Sequence, residues 1–99
     1  MKRYIRSNSG NSNAVDIANK VFGNYWRDDY RVKIFKQTKG YSLKYYANNE
    51  AYANKILNEM IQTAEELGID VLRSNVKPGF LQHGGSYGYN VASILVPAV

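Results

Sequence analysis

Apolar residues recur along this chain in two rhythms, and the switches between them outline a fold. Ala14, Ile17, Ala18, Val21, Phe22 and Tyr25 return every three or four positions, the spacing of one face of a helix. Asn13 stands just before the run and predicts an N-cap, with Asp16 three residues on, close to a capping box; Gly23 predicts the stop, ahead of Trp26. A longer stripe follows in Ala53, Ile56, Leu57, Met60, Ile61, Ala64 and Leu67, with Asn48 or Asn49 as its cap and Gly68 in the C′ position. Both helices are apolar on one side only, so each has one surface to bury.

Between them the period drops to two. Residues 30–36 set Val32 and Ile34 against Arg31, Lys33 and Phe35, and residues 41–46 set Tyr41, Leu43 and Tyr45 against Ser42, Lys44 and Tyr46. The intervening Gln37-Thr38-Lys39-Gly40 supplies the glycine a hairpin turn wants. Short strands are expected at 2–6 and at 69–72, directly after Gly68. An apolar, β-branched run at 88–96, closed by Pro97, predicts the last strand. Residues 7–13 and 74–87 read as loops, the second because it carries Pro78, Gly79, Gly84 and Gly85. The resulting order, β-α-β-β-α-β with one more strand at the C-terminus, is that of the ferredoxin-like split βαβ unit. It is an α+β fold with two helices on one face of an antiparallel sheet. No repeat or linker interrupts the 99 residues, which predicts a single domain.

That arrangement has a chemical corollary. If Ile5, Val32, Ile34 and Leu43 point at the helices, the opposite face shows Lys2, Tyr4, Arg6, Arg31, Lys33, Phe35, Lys44 and Tyr46. Cations neutralise phosphates and flat rings stack on unpaired bases, so this mixture suits single-stranded RNA or DNA. RNA-recognition domains of the same topology use the same face, although their glycine-flanked aromatic motif is missing here. The plain alternative is that these cations are solvated strand residues and that the C-terminal segment covers the face.

The net charge of +5 sharpens this picture by its placement. Residues 30–48 hold five cations (Arg31, Lys33, Lys36, Lys39, Lys44) and no acid. Residues 49–70 set Lys55 against Glu50, Glu59, Glu65, Glu66 and Asp70, a balance of −4. One cationic and one anionic segment therefore adjoin, and nucleic acid is the obvious partner for the first.

Catalytic chemistry finds little to use. Zero cysteines and one histidine leave neither thiol nucleophile nor the makings of a metal centre, and no cofactor motif occurs. Gly84, Ser86 and Gly88 satisfy G-x-S-x-G, but His83 precedes the serine and a strand is expected after it, the reverse of a nucleophile elbow. Gly85-Ser86-Tyr87-Gly88 forms a G-x-x-G outside the helix-to-helix setting where that loop clamps RNA. Glu65 and Glu66, being adjacent, point apart. A non-enzymatic protein is expected. No apolar run reaches the ~18 residues of a membrane span, and polar residues follow the basic start where a signal peptide would be apolar. A cytoplasmic protein is the expectation.

The opening Met1-Lys2-Arg3-Tyr4-Ile5-Arg6-Ser7, with eleven asparagines and nine tyrosines in one small domain, resembles the accessory proteins of phages and mobile elements in low-GC bacteria, anti-CRISPR proteins among them. The resemblance implies a stoichiometric inhibitor in a bacterial cytoplasm. Its partner would be a host protein or ribonucleoprotein complex of nucleic-acid-directed defence. Tyr87 and Tyr89, flanked by glycines, are then the candidate protein-binding residues, since tyrosine gives large contact area at low entropic cost. The anionic second helix would serve as a charge mimic. Two other readings stand beside it: the single-stranded nucleic-acid-binding module described above, and a homodimer built on the open sheet and final apolar strand.

Overall fold

The computed structural model describes residues 10–80 and 88–99. Helix α1 (Ser12–Phe22) leads through a 3-10 turn (Trp26–Asp28) into a hairpin of β1 (Val32–Gln37) and β2 (Gly40–Ala47). Helix α2 (Glu50–Glu66) then precedes β3 (Arg73–Phe80) and β4 (Gly88–Val96). The four strands form one sheet in the order β1-β2-β4-β3, and each neighbouring pair is antiparallel. The described residues thus form two successive α-β-β units whose antiparallel strand pairs meet along β2 and β4.

The α+β class and the helix-covered antiparallel sheet agree with the sequence pattern, but the placement of strands differs. A split βαβ unit contains a parallel pair. Among the described residues, β2 is flanked by β1 and by the C-terminal β4, so the expected extra strand is central. The strand expected at 2–6 lies outside the described residues. Residues 69–72 form no strand; Ile69 and Val71 pack against the core instead, and pairing begins at Arg73. Residues 74–80, expected as loop, belong to β3. Pro78 is tolerated there because β3 is an edge strand among the described residues, where a missing N–H breaks no ladder bond. Gly79 fits because a Cβ would come within 2.7 Å of Val91 Cγ2.

Local chemistry explains the helix ends. Asn49 Oδ1 accepts the Tyr52 N–H at 2.7 Å and starts α2. The helix closes as a Schellman turn: Gly68 has φ +70°, its N–H donates to the Glu65 carbonyl and the Ile69 N–H to the Ala64 carbonyl at 2.8 Å. Leu67, beyond the buried stripe, is exposed. In α1 the expected cap, Asn13, lies inside the helix, and its Nδ2 donates to the Pro97 carbonyl at 3.0 Å; Asn11 holds the cap position. Gly23 ends the helix, so Tyr25 falls off the stripe and is 83 % exposed. Trp26 is buried in its place, donating from Nε1 to Asn19 Oδ1 at 2.8 Å.

The core lies between the helices and one sheet face. Ala14, Ile17 and Ala18 of α1 and Ala53, Ile56, Met60 and Ala64 of α2 cover Leu43, Tyr45, Ile94 and Val96. Gly40 lets β2 start hard against β4, since a Cβ there would overlap the Val96 carbonyl.

Candidate nucleic-acid interface

The register assigns every strand residue to a side. Across the sheet, Ile34 faces Leu43 and Leu43 faces Ile94; Val32 faces Tyr45, Tyr45 faces Ala92, and Ala92 faces Val76. All of these belong to the helix-packed core. Because side chains alternate, their neighbours project from the other face, in rows set by the same pairing. One row reads Phe35, Ser42, Leu95, Arg73; the next Lys33, Lys44, Ser93, Asn75; the next brings Tyr46, Val91 and Lys77 together; and Tyr89 lies opposite Gly79. No helix among the described residues covers this side.

Lys33, Lys44, Arg73 and Lys77 therefore share one face with Phe35, Tyr46 and Tyr89. Ser42, Val91 and Leu95, all nearly buried, make its floor. Strands β1 to β4 contain no Asp or Glu at all, whereas α2 carries four glutamates against one lysine. The sheet layer is cationic and the helix layer acidic.

The aromatic rings have different roles. Phe35 is 41 % exposed at the β1 edge, with the Lys44 ammonium 5.6 Å from its centroid. Tyr46 is only 8 % exposed and meets Tyr89 edge-to-face, centroids 6.1 Å apart and planes at 88°. Burial pushes the Tyr46 phenol above its ordinary pKa, so it stays neutral in ordinary buffers. Tyr46 thus buttresses Tyr89, and Phe35 and Tyr89 are the rings with surface to offer. Along the strands they are about 20 Å apart, six residue steps of β4 from the Leu95 row to the Tyr89 row.

Of the residues the sequence singles out, Lys33, Phe35, Lys44 and Tyr46 come together as expected. Tyr89 joins them from within β4. Arg31 does not. Its Nε pairs with Asp29 Oδ1 at 3.3 Å, and its guanidinium lies 5.7 Å from the ring of Tyr45, on the helix side. Desolvation would lower its pKa, but the Asp29 hydrogen bond and nearby charge outweigh that and raise it. Tyr4, Arg6 and Tyr87 lie outside the described residues. Arg73, Asn75 and Lys77 were missed, since Pro78 and Gly79 hide the alternation of β3. Val76 between two polar residues is the one signal that exposes it.

Among the described residues no group of three His, Asp or Glu is placed to hold a metal ion, and no helix is long and apolar enough to cross a membrane. No family model, curated protein or solved structure matches the chain.

Proposed function

We propose that the protein is a single-stranded nucleic-acid-binding module that uses the sheet face away from its helices. One observation carries this reading: four cations and three aromatic residues occupy that face with no carboxylate among them. A sheet face suits unpaired bases, which lie on rings, better than a duplex, whose grooves admit a protruding helix or ribbon. Non-enzymatic binding in a bacterial cytoplasm, without cofactor, is part of the same proposal. Fluorescence anisotropy of labelled 15-mer RNA and DNA across a salt series tests it. Micromolar binding that weakens steeply with salt, with a log-log slope of several phosphates, is the expected result. Absence of binding at low salt overturns it.

The acidic outer side of α2 supports a second reading, the stoichiometric inhibitor of nucleic-acid-directed defence that the likeness to anti-CRISPR proteins implies. Glu50, Glu65 and Glu66 are exposed there and present the charge that a nucleic-acid cleft expects. In this reading, a guide-directed nuclease is inhibited at one-to-one stoichiometry, and converting these glutamates to glutamine abolishes the effect. A nuclease whose inhibition survives those changes removes α2 from the account.

A further inference from the structure

Resting on the nucleic-acid reading, we infer that the centre of the sheet face holds a seat for a single phosphate group. Two adjoining depressions of about 180 Å³ each open there, sharing Lys44, Asn75, Lys77 and Ser93. Arg73 completes the first. On β3 the order is cation, amide, cation: Arg73, Asn75 and Lys77 project to the same side, with Ser93 of β4 directly opposite Asn75. Lys44 of β2 faces Ser93 from its other flank. Three positively charged side chains thus line these depressions together with a hydroxyl and an amide, and no acid is among their described lining residues.

This donor set matches one phosphate better than a run of them. A guanidinium offers paired N–H donors to two phosphate oxygens, and an ammonium acts as a point charge. The serine hydroxyl and asparagine amide supply neutral donors on the floor between them. The seat lies between the Phe35 and Tyr89 rows, and the Lys44 ammonium rests beside Phe35. A phosphate held there would fix the register of the strand, with its bases reaching the rings on either side.

The phosphate would be either a chain end or an internal diester, and the test separates the two. Binding of labelled U15, with and without a 5′-phosphate, is measured over a salt series for the wild type and for the combined Lys44→Gln, Arg73→Gln, Lys77→Gln variant. Each single substitution is measured alongside. If one phosphate is shared, the combined variant lowers the log-log salt slope by ~0.7, the value for one phosphate of a single strand, while each single change, which leaves two cations on that phosphate, lowers it by less. Three separate contacts would lower it by ~2, and no change in slope would mean that the three cations touch no phosphate; either result overturns the seat. Wild-type binding with a normal slope in those cases leaves the broader reading standing, whereas no wild-type binding removes both. A tenfold preference for the 5′-phosphorylated oligomer, lost in Arg73→Gln, identifies a chain end; equal binding identifies a diester. Glutamine retains most of each stem, and Ser93→Ala gives a second check, weakening binding without altering the slope.

Discussion

The two faces of this sheet are built from the same strands and often from adjacent residues, yet they do opposite work. On β4, Ile94 is completely buried beneath the helices while Ser93, one position earlier, lines the cationic depression on the other side. On β2, Leu43 and Lys44 divide in the same way. The difference shows how little chain a small domain needs to separate stability from binding: within each strand, alternation places one function on every second position and the other on those between. A one-residue slip would exchange them, so the register that protects the core also assembles the cations.

The largest effect should separate adjacent residues. Ile94→Ala removes a buried side chain from between the sheet and the helices, with an expected cost of about 2–5 kcal/mol. Ser93→Ala should change stability by about 0.5 kcal/mol or less. Urea unfolding of the two variants measures the contrast, and comparable losses would show that the second face is also structural core.

A mirrored pair of aromatics comes next. Phe22 stacks on Tyr45 at 5.2 Å on the helix side, so Phe22→Ala should cost roughly 2 kcal/mol of stability without touching affinity for single strands. Phe35→Ala should do the reverse, weakening U15 binding by about 1–3 kcal/mol, the worth of one stacked base, with little change in the unfolding midpoint. Anisotropy and urea titrations on both proteins give the four numbers needed. Loss of affinity in Phe22→Ala alone would reverse the assignment of the faces.

Period and punctuation made most of this architecture legible. The 3.6-residue stripes located both helices, the Asn48-Asn49 pair and Gly68 marked the ends of α2, with Asn49 the asparagine that caps it, and the Gln37–Gly40 segment announced the hairpin. Lys33, Phe35, Lys44 and Tyr46 were recognisable as one group because β1 and β2 alternate cleanly. β3 was hidden by Pro78 and Gly79, residues that punctuate loops in most settings and are acceptable only because this strand is at an edge and passes close to Val91. The position of β4 between β2 and β3 depends on long-range pairing, which no local pattern encodes. Arg31 was misplaced for a similar reason: parity assigned it to the cationic face, but Asp29 and Tyr45 draw its side chain to the other.

A smaller test uses pH, because each face buries a phenol. Tyr46 and Tyr45 both have pKa values raised above 10.0, by burial first in each case, with Arg31 pulling Tyr45 partly back. The fold prefers the neutral form. Their contribution is therefore fully present below pH 10 and is lost as pH rises through the raised values. Comparing urea midpoints at pH 8 and at about pH 11 should show an alkaline loss that Tyr46→Phe reduces on one face and Tyr45→Phe on the other. An unaltered loss in both variants would place its origin outside these two rings.

The smallest expected effect concerns whether the acidic helix and the cationic sheet influence each other. The exposed glutamates of α2 belong to the helix layer, whereas Lys44 and Arg73 line the sheet face away from it. At physiological ionic strength the screening length is ~8 Å, so exposed charges on opposite sides of the packed helix and sheet layers interact weakly. Combined Glu65→Gln and Glu66→Gln changes should raise U15 affinity by less than about twofold at 0.15 M salt, with a larger gain only at low salt. A fivefold gain at 0.15 M would mean that the acidic layer restrains binding at the sheet, making the two faces one electrostatic unit. The same variant discriminates between the functional readings, because a nucleic-acid module keeps its affinity when these charges are removed, while an inhibitor that relies on α2 as a charge mimic loses its target.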